Sequence, residues 1–201
     1  MTNTPLNEQP SAISHIWYLH GFRSSAQSNK VEILKQYFPN CDIHGLEYEP
    51  HNPDQAANQI HKRIASLNTT DELLVLGTSL GGFWSRYIAH QYKVNALLIN
   101  PSLHPDITLP VGVFYNYDDH EKEVSVSEEI RQTFNQYKIS ERPSSNVETF
   151  LAMDDEVISS KQSFLELYQD YPIHTYPTGK HRFTNFEKII PAFIQAKFLT
   201  R

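Results

Sequence analysis

The sequence predicts a compact chain of the α/β class, a mostly parallel sheet of about six strands with helices on both faces. Short apolar runs alternate along it with segments of helical period, the pattern of β-α-β units with right-handed crossovers. In one run, Leu73-Leu74-Val75-Leu76, aliphatic residues follow one another without a polar break, as suits a parallel strand covered on both faces. That run stops at Gly77-Thr78-Ser79-Leu80-Gly81-Gly82 and passes directly into an apolar, helix-like segment from Phe83 to Tyr92. Strand and helix approach closely across such a turn, so its flanking residues must be small, and Gly77, Gly81 and Gly82 meet that demand.

Residues 15–20 (HIWYLH) form the first strand, ending at Gly21. After a loop with helix-capping serines, a helix runs to residue 38 with Val31, Leu34, Tyr37 and Phe38 on one face, and Pro39 stops it. Residues 42–46 are a short second strand, and residues 47–53 a proline-broken loop. Asp54 then caps a helix whose apolar face is Ala57, Ile60, Ile64 and Leu67. The strand entering the glycine turn and its helix come next, then a fourth strand at residues 96–99. The alternation breaks at residues 102–146, a polar stretch with one helical segment at residues 127–137. A stretch this long between core elements is more often functional than idle, so it is expected to cap the C-terminal edge of the sheet; the alternative is a disordered surface excursion. The core pattern resumes with a fifth strand at residues 147–152, a helix with Phe164, Leu165, Tyr168 and Tyr171 facing inward, and a last strand at residues 173–176. Thr184 and Glu187 have capping-box spacing before a final helix whose inward stripe is Phe186, Ile189, Ile190, Phe193 and Ile194. Pro191 within that stripe predicts a kink, or a helix that begins there.

At 201 residues, a single domain spanning the whole chain has a core of ordinary size. Hydrophobic content of 39% and aromatic content of 12% suit a globular protein, and a net charge of −6 without a long basic run argues against nucleic acid as a partner. The one cysteine, Cys41, excludes an internal disulfide framework and a thiolate zinc cluster. Residues 1–12 are polar, lack a basic start and are expected to be a flexible tail and not a signal peptide. No apolar run approaches membrane-spanning length, so the expected compartment is the cytoplasm, without membrane insertion.

Serine alone is a poor nucleophile. It needs a base within hydrogen-bond reach, a carboxylate that holds the base in the right tautomer, and donors for an oxyanion. Ser79 follows the third strand, Asp154 and Asp155 follow the fifth, and His181 lies in the turn between the last strand and the final helix. Each stands at the C-terminal end of a strand, where open parallel sheets place their sites. Ten histidines compete for the base role, and His181 is the loop-borne one. His174 lies within a strand, as a core or sheet-surface residue. His20 ends the first strand beside Gly21 and is placed to brace that loop. Asp155 is preferred to Asp154, because Asp-x-Val spacing lets Val157 anchor the turn apolarly while Asp154 faces solvent or caps. The oxyanion amides would be those of Leu80, directly after the nucleophile, and Phe22. His20, Gly21 and Arg23 are the candidate substrate-binding residues, with Arg23 facing an anionic substrate group or a surface salt bridge. Asp118-Asp119-His120 are adjacent in the chain and cannot converge well on one ion, so no metal site is expected there.

The segments YLHGFRSS, LGTSLGGFW, LLINPS, DDEVIS and GKHRFTNFE together resemble the YqiA-like esterases, small bacterial members of the α/β-hydrolase superfamily. The resemblance covers nearly the whole chain and is specific in those segments. It implies an α/β-hydrolase fold and a cytoplasmic carboxylic-ester hydrolase, with Ser79, Asp155 and His181 at the triad positions and His20-Gly21-Phe22 at the oxyanion loop. Two departures stand out: Ala152-Met153-Asp154 where the family often has a glycine before the acid, and Lys180 where it often has an acidic residue before the histidine. Residues 102–146 carry no part of the resemblance, so substrate choice does not transfer. The reading is a serine esterase that needs no metal or organic cofactor and takes a small-molecule acyl ester. An acyl-thioesterase would use the same residues. From another class, a non-catalytic binding module of this fold remains an alternative, against which the complete serine, aspartate and histidine set weighs.

Overall fold

The computed structural model describes residues 13–68, 72–140 and 146–199. The tail expected at residues 1–12 lies outside the described residues, as does the 141–145 part of the expected cap. In chain order the elements are β1 (His15–Leu19), α1 (Asn29–Tyr37), β2 (Asp42–Gly45), α2 (Pro53–Ile64), β3 (Leu73–Thr78), α3 (Leu80–Tyr92) and β4 (Asn95–Ile99). They continue with α4 (Pro105–Thr108), β5 (Gly112–Tyr115), β6 (Glu123–Val126), α5 (Glu128–Thr133), β7 (Val147–Ala152), α6 (Ser160–Leu167), β8 (Ile173–Tyr176) and α7 (Phe186–Ile194).

Six strands make one sheet in the order β2-β1-β3-β4-β7-β8, and every neighbouring pair is parallel. The central strand β3 is buried along its whole length, as its unbroken aliphatic run requires. Its residues alternate between two cores. Leu73 and Val75 join Trp17, Leu98 and the inner faces of α2 and α3; Leu74 and Leu76 join Ile16, Tyr18, Leu97 and the inner faces of α1 and α7. The register pairs Leu19 with Gly77, Thr78 with Ile99, Ile99 with Phe150 and Ala152 with Tyr176, so the C-terminal ends of five strands meet along one edge. The loops that carry Ser79, Asp155 and His181 leave from that edge.

Local rules account for most helix boundaries, with corrections. Ser28 caps α1 through a bond from the Lys30 amide, and Val31, Leu34 and Phe38 are buried as expected, but Tyr37 points outward. The cap of α2 is Asn52, not Asp54: its side chain accepts from the Gln55 amide, and Pro53 takes the first helical position, where a missing N–H costs nothing. Asp54, the second residue of the helix, accepts instead from the Tyr137 hydroxyl at 2.6 Å. In α6 the inward face is Ser160, Ser163 and Leu167, with Tyr171 beyond the helix end; Phe164, Leu165 and Tyr168 are exposed. The helix is oriented by the Ser160 hydroxyl, which donates to the Ala152 carbonyl at 2.5 Å, so its small polar face lies against the sheet. The last helix starts at Phe186, with Asn185 and not Thr184 at the cap position, and runs through Pro191 to Ile194 before a π-turn at Gln195–Leu199.

Residues 102–140 do not form a structureless excursion. They build α4, an antiparallel hairpin of β5 and β6, α5 and a 3₁₀ turn at Phe134–Tyr137. The helix expected at residues 127–137 is therefore α5, capped by Ser127, plus that turn. The hairpin was not expected. Fully buried Phe134 anchors the segment edge-to-face on Phe83 at 5.5 Å, a contact worth about 2–3 kcal/mol of burial. Tyr137 packs beside it on Trp84 and Tyr87.

Candidate active site

The turn after β3 holds Ser79 at φ 58°, ψ −123°, a region that a non-glycine residue occupies only when its surroundings enforce it. The surroundings are the glycines. A Cβ on Gly77 would lie 2.0 Å from the Gly81 carbonyl oxygen, and one on Gly81 would lie 2.0 Å from that of Leu19. Any other residue at either position would push β3, α3 and β1 apart. The Ser79 amide donates to the Ile99 carbonyl at 3.0 Å, and its carbonyl accepts from Gly82 and Ser102, so the turn is held entirely by main chain. Leu80 is the first residue of α3, and an amide there has no carbonyl one turn earlier to bond.

Asp155 and His181 meet. The Asp155 carboxylate, fully buried, lies 3.0 and 2.9 Å from the His181 Nδ1, and its Oδ1 also accepts from the Val157 and Ile158 amides at 2.8 and 2.9 Å. Of the two aspartates, Asp155 is the one that bonds the His181 ring, and not through the apolar anchoring expected of Val157. Val157 contributes a backbone donor, while its side chain is 67% exposed and anchors nothing. Asp154 accepts the Lys180 amide at 2.8 Å, and chiefly that bond holds its carboxyl below the usual range. Ser79 and His181 line one cavity of ≈ 300 Å³, together with Gly21 and Phe22. Among the described residues the Ser79 hydroxyl and His181 are not hydrogen-bonded to one another, a looseness common before substrate binds. A larger hollow, ≈ 560 Å³, opens between β2 and α2; His44 and Ser66 both line it, but the Ser66 hydroxyl donates to the Arg63 carbonyl at 2.7 Å and His44 Nε2 pairs with Asp42, so the two are engaged elsewhere.

Two groups that sequence reasoning missed set the histidine loop. The Glu156 carboxylate accepts the His181 amide at 3.1 Å. Asn100, buried at the end of β4 with φ 42°, donates through Nδ2 to the Lys180 and His181 carbonyls at 2.9 and 3.1 Å and accepts the Ala152 amide at 2.8 Å. One amide side chain thus ties the strand end that leads to Asp155 to the turn that carries His181. The only sequence signal was its place, Asn100-Pro101 directly after a buried strand. Asn100→Ala should leave those three main-chain groups without their partner, costing about 2–4 kcal/mol. Turnover should fall by about 10²-fold as the base drifts. Urea midpoints and kcat/KM check this; wild-type values for both would show that the loop holds itself.

His20 is buried and braces the first loop as expected: its Nδ1 lies 3.1 Å from the Gly21 carbonyl, its own carbonyl accepts from the Tyr48 hydroxyl at 2.7 Å, and its ring meets Tyr48 edge-on. A ring nitrogen facing a carbonyl must carry the proton, so Nδ1 donates. Burial pushes the His20 pKa down to about 4. Because the folded value lies below the unfolded one of ~6.5, the unfolded chain takes up a proton that the folded one refuses. This contribution is complete above pH ~6.5 and is lost as pH falls towards the folded value, by at most about 1.4 kcal/mol per unit. Between pH 7 and 4.5, His20→Gln should lose about 2 kcal/mol less stability than the wild type in urea titrations. Equal losses would contradict the assignment.

Among the described residues Arg23 makes no salt bridge. Its Nε donates to the Tyr115 carbonyl at 2.7 Å, its Nη1 lies 3.2 Å from the Tyr117 hydroxyl, and its guanidinium sits 4.2 Å from the Tyr117 ring centre. The Arg23 carbonyl accepts the Tyr117 amide at 2.7 Å, and Asn116 donates to the Ser24 carbonyl. Arg23 therefore fastens the β5–β6 hairpin to the loop after β1. His174 pairs with buried Glu148 at 2.8 Å and stacks on Phe150, in keeping with a structural histidine. Among the described residues, no group of three or more histidine, cysteine, aspartate or glutamate side chains is placed to hold a metal ion, and no helix is long and apolar enough to cross a membrane.

Among solved structures, the chain is similar to Est1E from Butyrivibrio proteoclasticus, a structure with bound ferulic acid, at 12% identity and a TM-score of 0.67, covering 96% of this chain and 91% of that one. It is also similar to mouse alpha/beta hydrolase domain-containing protein 10, at 12% identity and a TM-score of 0.69, over 90% of this chain and 88% of that one. At such identities the likeness establishes the fold: this is an α/β-hydrolase fold. In sequence, a UPF0227 protein of Vibrio cholerae serotype O1 is 26% identical over 172 residues, 84% of this chain and 90% of the relative. The family model described as "Uncharacterised protein family (UPF0227)" matches residues 15–198, from the first residue of β1 to the π-turn after α7, and the chain belongs to that family.

Proposed function

We propose that the protein is a serine hydrolase that cleaves carboxylic esters through an acyl-enzyme. The observation that carries this reading is the buried Asp155 carboxylate bonded to His181 Nδ1 in a cavity that Ser79 shares. Nδ1 faces Asp155, so the proton is held there and Nε2 is the free, basic nitrogen. The Ser79 Oγ attacks the acyl carbonyl carbon as His181 Nε2 takes its proton, and Asp155 stabilises the imidazolium. The carbonyl oxygen becomes an oxyanion, received by the Leu80 and Phe22 amides, with Gly21 keeping the loop close to the turn. A Cβ on Gly21 would lie 3.3 Å from that of Ser79, which supports so close an approach. Collapse expels the alcohol, which leaves with the proton from His181. Water then attacks the acyl-serine with His181 as base, and the acid departs. A thiol leaving group would follow the same path.

The β5–β6 hairpin, fastened by Arg23, is the part of residues 102–146 that we assign as the cap, since Tyr117 and Asp118 from its loop line the cavity. One domain, a cytoplasmic location and a small-molecule substrate complete the proposal. A fluorophosphonate tests it directly: it should label the wild type once, at Ser79, and nitrophenyl esters should turn over. Unlabelled, inactive protein would leave the fold without this chemistry.

A further inference from the structure

The cavity beside Ser79 holds two cations that the ester-cleaving steps do not use. Lys30, in the first turn of α1, and Arg182, next to the base, both line it. Lys30 is partly buried, with its ammonium 5.6 Å from the centre of the Phe186 ring, and burial followed by the Arg182 charge pushes its pKa down to about 8. Among the described residues, neither Lys30 nor Arg182 makes an ion pair. The one carboxylate in the lining, Asp118, is engaged by the Ser25 hydroxyl at 2.7 Å.

Two like charges at the wall of a half-enclosed cavity repel each other, and an ammonium that has lost part of its water without gaining a counter-ion is destabilised. A surface lysine avoids both costs by turning into solvent. Here the ammonium itself stands over the Phe186 ring and Lys30 stays in the cavity wall. The first turn of α1, with Ser28 and Asn29 also in the lining, adds the positive end of a helix dipole on the same side.

We propose that Lys30 and Arg182 form an anion-binding subsite and that the ester cleaved here carries an oxyanion group, carboxylate or phosphate, on its acyl or its alcohol side. This rests on the serine-hydrolase reading and names its substrate class. Arg23 stood nearest this role in the sequence, but its guanidinium is committed to the hairpin.

Matched substrates test the subsite. On the acyl side, the 4-nitrophenyl monoester of glutaric acid is compared with that of glutaramic acid, which replaces the carboxylate by a neutral amide. On the alcohol side, 1-butyrylglycerol 3-phosphate is compared with 1-butyrylglycerol. One pair at least should favour the anionic member by about ten-fold or more in kcat/KM, as a hydrogen bond to a charged group allows. The pair that does so tells which oxyanion and which side the subsite serves. Lys30→Met keeps an unbranched apolar stem and removes the charge, and it should bring that ratio close to one; Arg182→Gln should reduce it. Pairs turned over without preference, or a preference that survives both substitutions together in folded protein, would overturn the subsite while leaving the hydrolase reading in place. A wild type that cleaves none of the esters and takes no fluorophosphonate would remove both.

Discussion

Ser79→Ala should fold as the wild type does and lose turnover on the order of 10⁶-fold, leaving only what the oxyanion donors and binding contribute. The two halves of that expectation have separate grounds. The turn is kept by main-chain bonds: Ser79 N–H to the Ile99 carbonyl, and Gly82 and Ser102 amides to the Ser79 carbonyl. It is kept also by the glycine contacts around it, none of which needs the hydroxyl. Alanine tolerates φ 58° no worse than serine, so the denaturation midpoint should move by no more than about 0.5 kcal/mol. The Oγ, by contrast, is the atom that attacks in the proposed mechanism. Fluorophosphonate labelling should disappear with it, and turnover of a nitrophenyl ester at the wild-type level would end the nucleophile assignment.

Asp155→Asn should cost about 10⁴-fold in kcat, the loss expected when a base is held in the wrong tautomer. The Val157 and Ile158 amides donate to Oδ1, so an asparagine there keeps its oxygen towards them and turns its NH₂ to the histidine. Nδ1 must then accept, the ring proton moves to Nε2, and Nε2 can no longer take a proton from serine. Asp154→Asn is the control. Its oxygen can still accept the Lys180 amide, and the bond at stake holds the loop without touching the ring, so the loss should stay below about ten-fold. Steady-state kinetics on both variants checks the ranking. The reverse order would move the acid to Asp154.

What could be read in advance was what local chemistry dictates. A short unbroken aliphatic run that stops at a glycine turn suits a buried strand, and glycines on both sides of Ser79 are needed where strand and helix almost touch. Hence β3, the turn and α3 lie where expected, as do the other five strands of the sheet. That Asp155 and His181 would meet was legible because each lies in the loop after a strand of a parallel sheet, and such loops share one edge. Contacts between distant segments were not legible. The inward face of α6 is polar because Ser160 reaches the Ala152 carbonyl, and the richer apolar face, Phe164, Leu165 and Tyr168, is left outside. The β5–β6 hairpin has only a short run of alternation, Glu123-Val124-Ser125-Val126, and is held in place by Arg23 and by Phe114, whose ring meets Phe22 edge-on. Asn100 is an ordinary residue before a proline until the sheet brings Ala152, Lys180 and His181 around it. Lys30 and Arg182 are 152 positions apart and come to the same cavity only because α1 packs beside α7 on one face of the sheet. Periodicity and turn chemistry act within a few residues, so the sequence alone decided the strands, the turn and the order of the reactive residues. Partner, facing and charge environment are properties of segments brought together, and only the tertiary structure decided those.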